Sequence, residues 1–152
     1  MASGEMKPVY VLNGPNLNLL GLREPGVYGS KTLTDVESDC KAYAQANSIE
    51  VVLLQSNYEG ELVGWIHEAG EKGCGVVLNA GAYTHTSVAL HDAIKGTDVP
   101  VIELHISNVH ARESFRHHSM IAAACMGVIC GMGTAGYTLA IKALTDHLTA
   151  QN

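Results

Sequence analysis

What most constrains this chain is an alternation. Short apolar, largely β-branched runs stand at Pro8–Leu12, Ile49–Leu54, Val76–Leu78, Val101–Ile106 and Val128–Cys130, and the next residue is Asn, Gln, Asn, Ser or Gly in turn. Such runs, bounded by turn residues, suit strands buried on both faces. Between them lie stretches of helical spacing. Thr34 with Glu37 reads as a capping box, and Val36, Cys40, Tyr43 and Ala44 then predict a helix over 35–47. Leu62, Trp65, Ile66 and Ala69 predict one over 61–72, Val88, Ala89, Asp92 and Ala93 one over 86–95, and Leu139, Ala143 and Leu144 one over 134–148. Ala111–Ala124 reads as a further helix.

Strand then helix, repeated, predicts an α/β protein whose parallel sheet is covered by helices on both faces. The expected architecture is a flavodoxin-like three-layer fold with a five-stranded parallel sheet of order 2-1-3-4-5. One domain over 8–152 accounts for the pattern, and Met1–Lys7 reads as a disordered leader. A formal charge of -6 and a scarcity of arginine argue against a nucleic-acid partner. The longest apolar run, Ile121–Met132, falls short of the roughly 18 residues of a membrane helix. No membrane partner is expected. Four cysteines without a C-x-x-C pair fit a reduced, cytoplasmic compartment.

In an open parallel sheet, ligands sit beyond the carboxyl ends of the strands where the strand order reverses. Those ends carry Asn13 and Asn16 after the first run, Asn79 and His85 after the third, and Glu103, His105, Ser107 and Asn108 at the fourth. Taken singly, each has an ordinary explanation, because Asn after a strand is usually a turn residue and a lone His a hydrogen-bonded core residue. Glu103 and His105 differ. They share one strand face by the period of two, and a carboxylate beside an imidazole fixes its tautomer.

The segment Leu12–Ser30 is far longer than the usual connection of about 2 to 6 residues, which marks a lid or binding loop. It carries Arg23 and Tyr28. A phenol ordinarily titrates near pH 10, and a guanidinium beside it would favour the phenolate that removal of a proton next to a ketone requires. Arg112 and Arg116 fall four apart, on one face of the expected helix, where like charges repel. The eight histidines include no H-x-x-x-H or H-E-x-x-H pair, so no metal is expected. Gly131-Met132-Gly133-x-x-Gly136 matches a dinucleotide fingerprint, but it follows the last strand with no second βαβ unit, and helix–sheet packing explains it better. A flavodoxin-like FMN or nucleotide-binding module is the competing reading.

At these residues the chain resembles the type II 3-dehydroquinate dehydratases, the type II dehydroquinases. The likeness is carried by L-N-G-P-N-L-N-L-L-G-L-R-E-P at 12–25 with Tyr28-Gly29, by Q-S-N at 55–57 with Glu59-Gly60, and by G-A-Y-T-H-T-S-V-A-L at 81–90. I-E-L-H-I-S-N-V-H-A-R-E at 102–113, F-R-H-H-S at 115–119 and Gly136-Tyr137 complete it. The resemblance implies a lyase that removes water in trans from 3-dehydroquinate, through an enolate, to give 3-dehydroshikimate without cofactor or metal. The pathway would be shikimate production, hence aromatic amino acid biosynthesis, or quinate breakdown.

By the same resemblance Tyr28 is the general base, Arg23 favours its ionised form, and Asn16 holds the water that stabilises the enolate. His105, oriented by Glu103, is the general acid. Asn79, Ile106 and Ser107 hold the C1 hydroxyl and carboxylate, while His85 and Arg116 contact the ring hydroxyls. Asp92 reaches a neighbouring subunit's site in a homo-oligomer, a dodecamer of trimers. No lysine falls at a strand tip, which disfavours a Schiff base. Ala80, His91 and Met120 depart from the family pattern, and Ala80 is expected to loosen the loop that carries Asn79 and His85.

Overall fold

The computed structural model describes residues 6–22, 26 and 29–151. Strands β1 (Val9–Asn13), β2 (Val51–Gln55), β3 (Gly75–Asn79), β4 (Val101–His105) and β5 (Gly127–Cys130) form one sheet of order 2-1-3-4-5. Every pairing is parallel. Four α-helices are present among the described residues: α1 (Leu33–Ala46), α2 (Glu59–Lys72), α3 (Val88–Lys95) and α4 (Ala135–Ala150).

The central strands β1, β3 and β4 are buried along their whole length, which is why their sequences are continuous apolar runs rather than alternating ones. The period of two divides their side chains between two cores. Val9, Val11, Val77, Ile102 and Leu104 face Val36 and Cys40 of α1 and Tyr137, Ile141 and Leu144 of α4. Tyr10, Leu12, Val76, Leu78 and Val101 face Leu62 and Ile66 of α2 and Leu90 and Ile94 of α3. Each fully buried Leu or Ile contributes about 1.5–3 kcal/mol. The sheet is thus covered by helices on both faces.

Local chemistry sets the helix starts. The capping box belongs to Thr32 and Asp35, not to Thr34 and Glu37: the Thr32 hydroxyl accepts from the Asp35 amide at 3.2 Å, and the Asp35 carboxylate accepts from the Thr32 amide at 3.0 Å. Aspartate fills the role usually given to Glu or Gln, and α1 begins two residues earlier than its expected start. Hydrogen bonds from these groups hold the Asp35 carboxyl below the usual carboxylate range. Ser87 caps α3 by accepting from the Leu90 amide at 2.8 Å.

The helix expected over Ala111–Ala124 does not form. Three 3-10 turns replace it, at Val109–Ala111, Ser114–Arg116 and Ala122–Ala124. Partners outside any local helix claim the backbone: the Met120 amide donates to the Thr84 carbonyl at 2.8 Å, and the Ser119 hydroxyl accepts from the Ile121 and Ala122 amides. Asn108 likewise accepts from the His110 amide at 3.1 Å. Ser and Asn side chains offer the backbone an alternative to helix, and here it wins. Arg112 and Arg116 therefore do not share a helix face.

The glycine fingerprint acts in packing, as expected. A Cβ on Gly136 would lie 2.7 Å from Leu104 Cδ1, so glycine lets α4 close onto β4. The amides of Gly131 and Gly133 donate to the carbonyls of His105 and Ile106, which fastens the end of β5 to the end of β4.

Candidate active site

Register brings the polar strand ends level. Asn13 stands opposite Gln55 on one neighbour and Asn79 on the other, and His105 opposite Cys130. Asn13 and Asn79 are both buried, joined through Tyr137 of α4: the phenol donates to Asn13 Oδ1 at 2.6 Å and accepts from Asn79 Nδ2 at 3.1 Å. Burial pushes the Tyr137 hydroxyl well above its ordinary range, so it stays a neutral donor. This orientation leaves Asn79 Oδ1 toward the Gly81 amide, at 3.4 Å. Sequence reading singled out Tyr137 only within Gly136-Tyr137 and assigned it no part.

The loop after β3 is locked against the loop after β1. Ala80 is fully buried, and a Cβ on Gly14 would stand 2.4 Å from its carbonyl oxygen. The Gly14 amide donates to the Asn79 carbonyl at 2.8 Å. Ala80 is therefore packed closely between the two loops. His91 and Met120, the other two departures, meet each other, His91 Nδ1 lying 2.8 Å from the Met120 carbonyl.

Asn16 takes a left-handed backbone, φ 70°, and its amide donates to Asn57 Oδ1 at 3.0 Å. Gln55 Nε2 reaches the same Asn57 oxygen and the Gly14 carbonyl, both at 3.2 Å. The Q-S-N tip of β2 thus supports the loop that presents Asn16 without lining the site itself.

At the end of β4 the two residues expected to pair do so. His105 Nε2 lies 2.5 Å from Glu103 Oε2, and both side chains are buried. A carboxylate only accepts, so Nε2 carries the shared hydrogen and Nδ1 is left for other partners. Ser119 donates to the second Glu103 oxygen at 2.8 Å. The His85 ring stacks on His105 with centroids 6.3 Å apart, and His85 Nδ1 lies 2.8 Å from the His118 carbonyl.

A cavity of about 180 Å³ gathers these groups: Asn16, Asn79, His85, His105, Ile106, Ser107 and Arg116 all line it, with Pro15, Leu17, Val109 and Arg112. Arg112 Nη1 lies 3.5 Å from Ser107 Oγ, and Arg116 pairs with Glu113 at 2.8 Å. The Glu113 carboxyl sits below its ordinary range, first through a backbone hydrogen bond and then through Arg116. Two guanidinium groups on the wall of a chain with net charge -6 make a local site for an anion. Asp92 does not join the cavity; it is exposed on α3. Tyr28 and Arg23 lie outside the described residues.

Among the described residues no group of three or more His, Cys, Asp or Glu side chains could hold a metal ion, and no helix is long and apolar enough to cross a membrane. Cys40, Cys74, Cys125 and Cys130 are free thiols. Burial pushes Cys40 and Cys125 up to about 12, far from a reactive thiolate.

By fold and site this is a flavodoxin-like α/β protein with a buried histidine–carboxylate pair whose histidine lines a pocket that two arginines also line. Comparison with known proteins narrows that class. The family model described as Dehydroquinase class II matches residues 7–145, and the chain belongs to that family. It is 65% identical over 138 residues to the 3-dehydroquinate dehydratase of Rhizobium johnstonii, covering 91% of this chain and 95% of the relative. Identity to the 3-dehydroquinate dehydratase of an Acidovorax species is 66% over 145 residues, covering 92% and 98%. The crystal structure of type II dehydroquinase from Butyrivibrio crossotus superimposes with a TM-score of 0.91 at 42% identity, covering 93% of this chain and 99% of that one.

Proposed function

We propose that this chain dehydrates 3-dehydroquinate to 3-dehydroshikimate, and that His105 delivers the proton that turns the C1 hydroxyl into water. The observation that carries this reading is His105, paired with buried Glu103 and lining a pocket also lined by Arg112 and Arg116. Family membership supports the reaction, and the competing FMN or nucleotide-binding reading finds no support among the relatives.

The chemistry follows from what the groups can do. A hydrogen on C2 is weakly acidic, so its removal needs a base whose conjugate acid is a weak acid; Tyr28 as phenolate, favoured by Arg23, fills that role. The C2–H electrons flow into the C3 carbonyl, and the enolate oxygen is met by a water held by Asn16. When the enolate collapses, the C1–O bond breaks and its electron pair takes the Nδ1 proton of His105 in its imidazolium form, which is left as the neutral Nε2–H imidazole. Nε2 keeps its hydrogen on Glu103 throughout. Asn79, Ile106 and Ser107 hold the C1 hydroxyl and carboxylate, and His85 and Arg116 the ring hydroxyls. Asp92, exposed on α3, serves a neighbouring subunit in a homo-oligomer, a dodecamer of trimers. The reaction runs in the cytoplasm and belongs to shikimate production or to quinate breakdown.

The test is direct. Pure protein given 3-dehydroquinate should generate the ultraviolet absorbance of a conjugated enone, undiminished by chelator or borohydride, and Tyr28→Phe should nearly abolish it. A flat trace from the unmodified protein at high concentration would overturn the reading.

A further inference from the structure

We propose that Ser119 is a positioning residue for the acid step, acting on His105 through Glu103. A hydroxyl has one hydrogen and two lone pairs. Both lone pairs of Ser119 Oγ are engaged, by the Ile121 amide at 3.2 Å and the Ala122 amide at 3.0 Å. Its hydrogen is therefore aimed at Glu103 Oε1, 2.8 Å away.

Glu103 is then held at both oxygens, by Ser119 on one and by His105 Nε2 on the other. These two donors hold the plane of the carboxylate, and the residue is buried, at 2% exposure. A fixed acceptor keeps the hydrogen on Nε2, which reserves Nδ1 for the proton that goes to the leaving hydroxyl. Without the Ser119 hydroxyl, Glu103 can rotate, and the imidazole loses the partner that defines its tautomer.

Ser119 does not line the 180 Å³ cavity; it lines an adjoining one of about 350 Å³, bordered by Glu103, that shares His85, His105, Val109 and Arg116 with the first. Its one hydroxyl hydrogen goes to Glu103, so it has none to donate to a substrate held over His105. That placement separates a positioning role from a binding one: kcat should change and KM should not.

The proposal rests on the dehydration reading, and the experiment keeps the two apart. Ser119→Ala should lower kcat about tenfold, a fraction of what a general acid supplies, with KM within about twofold of the original. Ser119→Thr, which restores the hydroxyl, should recover most of the rate. Added to His105→Ala, Ser119→Ala should cost nothing further. At a pH where the imidazole of the free protein is neutral, ¹⁵N spectra of labelled histidine should show His105 as the Nε2–H tautomer, and a mixture of tautomers in Ser119→Ala. If Ser119→Ala does not fold, Ser119→Cys, nearly isosteric with a weak donor, carries the same comparison. An unchanged kcat in a folded variant, an equal loss in the His105→Ala background, or an unaltered tautomer overturns the role of Ser119. An inactive unmodified protein overturns the dehydration reading instead, and the histidine spectra still decide on Ser119.

Discussion

The end of β4 and the segment that follows it are continuous in sequence and opposite in construction. Glu103 and His105 stand on a strand buried along its length, and hydrogen bonds from Ser119 and between the pair fix them from below. A few residues on, Arg112 follows one 3-10 turn and Arg116 ends the next, where Arg116 is held by an ion pair with exposed Glu113. The group proposed to do chemistry is over-determined by the core, and Arg116, proposed to contact the ring hydroxyls, is tethered to an exposed carboxylate. The difference teaches where each kind of mutation should register: in kcat at the strand, in KM at the turns.

The largest effect should come from His105→Ala. Loss of a general acid costs on the order of 10²–10⁴ in kcat, and the variant should keep its far-ultraviolet circular dichroism; a variant with most of its turnover would erase the distinction between strand and turn. Next is Tyr137→Phe, which strips the shared partner from buried Asn13 and Asn79. Stability in urea should fall by about 1–3 kcal/mol and KM should rise, whereas a change within noise would mean that the strand ends are held by something else.

Arg116→Met should raise KM on the order of tenfold while stability moves by no more than about 1 kcal/mol, the usual limit for an exposed pair. A matching fall in kcat would place this arginine with the chemistry instead. The smallest effect concerns Glu113. Its folded pKa is lowered, so whatever the pair contributes is present above the unfolded carboxylate range and is lost as pH falls through the lowered folded value. A carboxyl titration by NMR should show a midpoint below that of an ordinary glutamate, moving back up with salt and in Arg116→Met. A midpoint at the ordinary value would remove the tether.

The same contrast explains what was legible in the sequence. The strands follow from apolar runs closed by turn residues and the Glu103–His105 pair from a period of two, signals that local sequence carries, whereas the strand order was expected only from the fold class that the alternation implies. The Ala111–Ala124 segment misled because its apolar spacing is helical while its amides go to the Ser119 side chain, a local competitor, and to Thr84, a partner fixed only by the tertiary fold. Tyr137 was hidden for a related reason: it lies 124 residues from the Asn13 oxygen it donates to, and no local pattern announces such a bond. The capping box was offset because two overlapping threonine–acid pairs compete, and only backbone geometry chooses Thr32.

The central claim is that acid and base work from opposite faces of the ring, with His105 rooted in the sheet and Tyr28 brought by the loop. It is tested most directly by 3-dehydroquinate carrying deuterium in turn at each of the two C2 positions. The account predicts that only the label anti to the C1 hydroxyl is lost to solvent, with the other retained in the product. Loss of the syn label would contradict it.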